Sequence, residues 1–368
     1  MTVRYKPHQT YFKNHKHIAK QQYVTKKQYA NQHKQQGVAL IFVLLIVAVL
    51  VALAATMTER MSTQFYRASN LLNHQQAYWY SMGVEALAQV AIEETYKENS
   101  KVINLNQAWA MKGARYPLDN GDAIGSIRDM QACFNLNALN GLPVATNPSV
   151  RPYLLKVLAY MLEDAGIESY QAEVIADSAK EFVDSDDTVN TQSGVENNTY
   201  EGFKPAYSAP NGMIADGTEL RAVNQVSAQA MRALRGVVCA IPASKLMVNV
   251  NTIQPHQALL LSGLFQPGLS LSDAKKVIED RPYDGWSSVQ DFLAEPEISR
   301  VASNIQSQAT PFLGVTSQYF ELDAQITVDE SRVRLRSLLY SSDNKTTQII
   351  RRRFGGISER VSDNKTEQ

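Results

Sequence analysis

From Val38 to Ala55 the chain runs through 18 residues without one polar side chain. Roughly 20 apolar residues cross a hydrocarbon core of ~30 Å, so this run together with Thr56–Thr58 is just long enough to span. No loop signal follows it. Between Val38 and Lys112 there is no proline and the one glycine is Gly83. Met57, Met61, Phe65, Ala68, Leu71 and Leu72 keep a helical period that continues to Ile92. The pattern predicts a single helix from the membrane to about residue 97, a rod of roughly 90 Å at 1.5 Å per residue. Asp119-Asn-Gly-Asp122 then reads as a turn, and Ile124, Ile127, Met130, Ala132 and Phe134 alternate well enough for a strand over Ala123–Phe134. From Asn135 to about Pro311 the period is mainly helical. Val150–Ala165 sets Tyr153, Leu154, Val157, Leu158, Met161 and Leu162 on one face with Gly166 as a stop. Ser169–Phe182 repeats the pattern with Ala172, Ile175, Ala176, Ala179 and Phe182. Strand character returns in Tyr319–Val328 and Val333–Tyr340, which flank polar Asp329–Arg332 as in a hairpin. Thr346–Arg352 offers a third strand. Periodicity alone predicts a mixed α+β chain with helices and strands segregated.

Charge sharpens this division. The 368 residues carry 36 basic and 36 acidic side chains, a formal net charge of zero. Residues 1–37 hold eight of the Lys and Arg, from Arg4 to Lys34, and no Asp or Glu, which leaves 28 basic against 36 acidic groups in the rest. A +8 arm precedes the apolar run and a −8 body follows it. Basic flanks stay in the cytoplasm, so the body is expected on the far side of the membrane. A cleaved secretory signal is the alternative, with Ala52–Ala55 as its small-residue site; the unbroken helical period beyond the run argues against it. Two cysteines, Cys133 and Cys239, exclude a cysteine-rich zinc module or a disulfide-dense miniprotein.

A basic leader ending in Gly37 and followed directly by an apolar helix resembles the type IV prepilin family. The resemblance implies that a membrane peptidase cuts between Gly37 and Val38 and that the new N-terminus is methylated. Most members carry Glu at mature position five, where this chain has Phe42. A carboxylate in a bilayer is costly and is kept when it has a partner, in this family the amino group of the subunit above. Phe42 therefore suggests a filament tip, with no subunit above. The same departure marks the K-type minor pseudopilins of type II secretion systems. Gln76–Leu87, Phe134-Asn-Leu-Asn137, Phe182–Thr188 and Val248-Asn-Val-Asn-Thr252 resemble further blocks of that family in the expected order, over about residues 36–340. The resemblance implies a pilin-like head, a small antiparallel sheet, interrupted by a large all-α insertion.

Asp184-Ser-Asp186-Asp187-Thr188, with Glu196 after it, reads either as a solvated acidic loop or as a cation site. The spacing excludes an EF-hand, whose sixth and twelfth positions would fall on Val189 and Val195. The resemblance implies a structural Ca²⁺ held by Asp184, Asp186, Asp187, the Thr188 carbonyl, Glu196 and Asn197. Cys133 and Cys239 are either bridged or separate buried thiols, and an oxidising compartment favours the bridge.

The resulting division is a basic leader (1–37), a transmembrane helix (38–58) and its continuation (59–100). The first part of the head (101–134), the insertion (135–311), the C-terminal strands (312–353) and a polar tail (354–368) follow. Within the insertion, about 246–295 resembles the helix-hairpin-helix modules of DNA-uptake receptors, which makes a membrane-anchored DNA-binding protein the rival reading. Its hairpin, Gly263–Gly268, is bulky, and Lys275, Lys276 and Arg281 are offset by neighbouring acids, so no nucleic acid is expected. Walker, HExxH, GxSxG and GxGxxG motifs are missing, and four of the six histidines lie in the leader, leaving His74 and His256. Tyr78-Trp79-Tyr80 reads as packing and not as a ligand cage. No catalysis is expected. The family resemblance implies a tip-capping pseudopilin, with the I- and J-type minor pseudopilins, the prepilin peptidase and the inner-membrane assembly platform as partners. Secreted substrates or the outer-membrane secretin are further candidates for the exported body.

Overall fold

The computed structural model of the chain describes residues 37–143 and 150–355. The basic leader before Gly37, most of the polar tail and residues 144–149 lie outside the described residues. Two compact units divide at Phe65/Tyr66. Helix α1 (Val38–Glu98) is 61 residues long and contributes to both.

In the first unit, every side chain from Val38 to Phe65 is exposed, and the apolar stretch is long and hydrophobic enough to cross a membrane. Thr56 and Thr58 close this stretch by donating their hydroxyls to the Leu53 and Ala54 carbonyls at 2.9 Å. The first polar groups are thus satisfied within the helix, as an apolar surrounding requires.

In the second unit α1 acquires a buried stripe. Ala77, Val84, Ala88, Ile92 and Tyr96 recur at helical spacing and pack on one face of a sheet. Tyr78 rests against the Phe354 ring with centroids 5.1 Å apart, whereas Trp79 is 69% exposed. After α1, β1 (Ala114–Leu118) and β2 (Gly121–Asp129) form a hairpin across Asp119-Asn120. β1 was not expected, since Arg115 and Pro117 break its alternation. Four two-residue strands follow: β3 (Phe134–Asn135), β4 (Val238–Cys239), β5 (Val248–Asn249) and β6 (Leu313–Gly314). β7 (Tyr319–Val328), β8 (Ser331–Tyr340) and β9 (Gln348–Phe354) then complete an antiparallel sheet of order β1-β2-β7-β8-β9. The β7–β8 turn is tighter than expected. Val328 pairs with Ser331, and Asp329 takes φ +48° between them. Gly121 is required where β2 meets β7, because a Cβ there would lie 1.9 Å from the Thr327 carbonyl oxygen.

The strand expected over Ala123–Phe134 ends at Asp129. Asp129 is buried and its Oδ1 accepts from the Gln131 N–H at 2.7 Å, turning the chain. Its Oδ2 accepts from Ser317 and Thr252 hydroxyls and from Asn249 Nδ2. Alternation could not reveal this, since three of the partners lie more than 100 residues away.

Between β2 and β7 lie α2 (Tyr153–Asp164), α3 (Ser169–Val183), α4 (Asn197–Tyr200), α5 (Ala228–Ala233), α6 (Ala258–Leu264), α7 (Leu271–Glu279), α8 (Val289–Leu293), α9 (Pro296–Ser299) and α10 (Ser303–Ala309). They surround a core separate from the sheet's. Long irregular stretches join them, and two Asn-x-Asn brackets fasten these. Asn137 Nδ2 donates to the Ile214 and Ile241 carbonyls, and Asn135 Oδ1 accepts from Ile241 N–H. Asn251 exchanges hydrogen bonds with Trp286 N–H and C=O, while Asn249 Nδ2 donates to Ile103 O and Ser317 Oγ. β3 pairs in parallel with β4, and β5 with β6. The architecture is α+β: a long apolar N-terminal helix, a sheet and a helical region spliced into that sheet.

Candidate metal centre

Helix α3 ends in charge where its period would place apolar groups. Asp177, Lys180 and Glu181 are all buried, beside Ile175, Ala176, Ala179 and Phe182. Asp177 is neutralised by Arg151, whose Nε and Nη2 reach its two oxygens at 2.9 and 3.0 Å. Lys180, 3% exposed, donates to Asp184 Oδ2 at 2.8 Å and lies 3.6 Å from Glu181 Oε2. Glu181 Oε1 accepts from the Asn190 N–H at 2.9 Å. Asp184 caps α3, and the loop 185–195 returns to set Glu196 just before α4.

Glu181, Asp184 and Glu196 converge: each offers a carboxylate oxygen within 4.8 Å of the others, and all three are buried. One oxygen of Glu181 and one of Asp184 are held by the donors above. Glu181 Oε2, Asp184 Oδ1 and both Glu196 oxygens have no hydrogen-bond partner. Buried polar atoms are nearly always paired, so four carboxylate oxygens without hydrogen-bond partners on three converging side chains are a place where a cation would supply the missing partner. Burial, followed by the charges of Asp184, Glu181, Asp187 and Asp186, pushes Glu196 up to about 8. Burial likewise raises Glu181. Burial works against the Lys180 charge, but Asp184 and Glu181 more than offset it and hold its pKa up. An all-oxygen set suits a hard cation such as Ca²⁺ at 2.3–2.6 Å, for which oxygens on opposite sides lie up to about 5 Å apart. The residues present fit such an ion.

The acidic loop is thus divided. Asp184 and Glu196 join the cluster. Asp186 and Asp187 are exposed; Asp186 Oδ1 accepts from Thr188 N–H at 2.9 Å, and Asp187 Oδ1 from Asn197 N–H at 3.4 Å. The Thr188 carbonyl accepts from Asn190 Nδ2 at 2.7 Å. Asn197 is turned away, with its Oδ1 on the Ala209 N–H at 2.7 Å. Glu181 was missed by sequence reasoning. The signal for it was present: Lys180 and Glu181 interrupt an apolar helix face just before an acidic loop. Gly194 presses that loop onto the cluster, since a Cβ there would lie 2.7 Å from Glu181 Cγ.

Other residues singled out by the sequence lie apart from this cluster. Gly37 takes φ +134° and its carbonyl accepts from Ile41 N–H at 3.1 Å, so the Gly37–Val38 bond is exposed at the start of α1. Phe42 is 62% exposed on the apolar helix. Cys133 and Cys239 are joined by a disulfide with Cα atoms 5.9 Å apart. In the helix-hairpin-helix-like segment, Gly263 is buried inside α6. Lys276 is paired with Glu297, and Arg281 donates to the Ile253 carbonyl, so these two cations serve internal partners.

Two family models, both described as type II secretion system (T2SS), protein K, match residues 132–243 and 248–316. Type II secretion system protein K of Aeromonas hydrophila is 36% identical over 88% of this chain and 98% of its own length. That of Klebsiella pneumoniae is 34% identical over 88% and 97%. A chain in the crystal structure of the GspK-GspI-GspJ complex from the enterotoxigenic Escherichia coli type 2 secretion system matches with a TM-score of 0.72 and 34% identity. It covers 79% of this chain and 99% of that one. From coverage at this identity, sequence and fold agreeing, the chain belongs to the type II secretion system protein K family.

Proposed function

We propose that the chain is a non-enzymatic minor pseudopilin that caps the tip of a type II secretion pseudopilus. The observation that carries this reading is Phe42. It stands on an apolar helix with no carboxylate between Gly37 and Glu59, so the helix offers no partner to the amino terminus of a subunit above. The exposed Gly37–Val38 bond is the site of the prepilin peptidase. After cleavage the α1 segment remains in the inner membrane, with its start toward the cytoplasm and residues beyond it in the periplasm. Leu71, Leu72, Trp79, Leu87 and Val90 are exposed on α1 and would pack against equivalent helices of the I- and J-type subunits by side-chain interdigitation. The assembly platform receives the subunit, and the helical region is the part available to secreted substrates or the secretin.

Glu181, Asp184 and Glu196 hold one divalent hard cation, Ca²⁺ in this reading, with Asp186 and Asp187 contributing negative charge at the rim. The ion supplies charge compensation and cross-linking. The residues fasten the 184–200 loop to α3, so the role is structural.

N-terminal sequencing of the protein extracted from membranes tests the processing. The expected first residue is Val38. A start near residue 56 would show an ordinary signal sequence and overturn the pilin reading.

A further inference from the structure

We propose that Lys180 sets the charge preference of the carboxylate cluster, matching it to a divalent ion and against a trivalent one. The proposal rests on the cation reading above and assigns Lys180 a selecting role in it. Three buried carboxylates alone would present −3. Lys180 is buried with them, its Nζ 2.8 Å from Asp184 Oδ2 and 3.6 Å from Glu181 Oε2, and it brings the buried set to a formal −2. One divalent ion then leaves the interior neutral, which is the condition under which buried charge is tolerated. The nearby Asp177 carboxylate is held outside the cluster by Arg151, which also meets the partly exposed Glu173, so it is left out of the buried count. Asp186 and Asp187 are exposed at the rim, where water and salt weaken but do not remove their influence, so they lie outside the buried count.

The same contact restricts coordination. Lys180 occupies Asp184 Oδ2 and leaves Oδ1 without a hydrogen-bond partner, so one oxygen of Asp184 remains to meet an ion. A structural ion pair serving only to finish α3 would affect stability and leave ion preference untouched. Preference is therefore the readout.

Full-length protein in detergent is titrated with Tb³⁺, followed by its luminescence, and with Ca²⁺ in competition. The measured quantity is the ratio of the Ca²⁺ to the Tb³⁺ dissociation constant. Lys180→Met is expected to raise this ratio at least about tenfold, since one unit charge a few Å away at an effective dielectric of about 20 acts more strongly on +3 than on +2. Lys180→Arg keeps the charge and is expected to stay near the wild-type ratio. Lys180→Gln removes the same charge with a polar side chain and is expected to raise the ratio likewise, which provides the test if Lys180→Met does not fold. Wild-type protein that binds neither ion would overturn the cation reading itself. Wild-type binding with an unchanged ratio in Lys180→Met, or in Lys180→Gln where that variant alone folds, would overturn the role of Lys180 and leave the cation reading standing.

Discussion

Glu196 is buried with neither of its oxygens hydrogen-bonded, an arrangement that destabilises the fold unless a proton or a cation fills it. This gives a prediction with two opposite signs. Chelator is expected to lower the thermal midpoint of the wild type by several degrees, as loss of a ligand bound well above its dissociation constant removes ~2–4 kcal/mol. In Glu196→Gln the midpoint in chelator is expected to rise above that of the wild type, while the response to added Ca²⁺ disappears. Thermal scans of both proteins with and without Ca²⁺ check this, and a wild type indifferent to chelator would remove the ion. At this scale the sequence was half legible. The acidic run around Asp184 and Glu196 was visible as composition. The division between buried Asp184 and Glu196 and exposed Asp186 and Asp187 was not, because it depends on how Gly194 folds the loop back onto Glu181.

At the level of elements, Asp129 holds the joint at which β2 gives way to the helical region. Burial raises its pKa from 3.8 to about 6, opposed by hydrogen bonds from Ser317, Thr252, Gln131 N–H and Asn249. A carboxyl raised in the folded state binds more protons folded than unfolded. Its stabilising contribution is therefore complete below about pH 4 and is lost as pH rises through about 6. The stability advantage of wild type over Asp129→Asn is expected to shrink by on the order of 3 kcal/mol between about pH 4 and about pH 7. Denaturant titrations at fixed Ca²⁺ measure it, and a difference independent of pH would refute it. Long, strongly patterned elements were readable in the chain: α1, α2, α3 and the β7–β8 hairpin all fall within a few residues of the pattern that announces them. The break at Asp129 and the Asn-x-Asn brackets were not. Their partners, such as Ile214, Ile241, Trp286 and Ser317, are distant in sequence, and periodicity carries only local information.

For the whole molecule, two apolar cores lie on one chain. One joins α1 to the sheet and the other fills the helical region. A third, small cluster gathers Met130, Ile241, Leu338 and the Cys133–Cys239 disulfide. The disulfide closes a separation of 106 residues, long enough that chain entropy predicts a large effect, with measured bridges typically worth ~2–4 kcal/mol. Replacing both cysteines by serine is expected to lower denaturant stability by about that amount in oxidising buffer. The wild type is expected to match the double variant once fully reduced. Equal stability of the oxidised wild type and the variant would show that the bridge adds nothing beyond the packing around it.

The register of the sheet has one more consequence. Asp129, the last residue of β2, pairs directly with Phe320 at the start of β7, so the chain leaves and re-enters the sheet at neighbouring positions. To the sheet, everything between them is a single hairpin connection. The entropy of closing such a connection grows only logarithmically with its length, by about 0.6 kcal/mol for each doubling. Residues can therefore be gained, lost or exchanged at this one splice point with little cost to the helix-and-sheet framework. Related chains can in this way diverge in the helical region while the sheet and the helix packed on it stay the same.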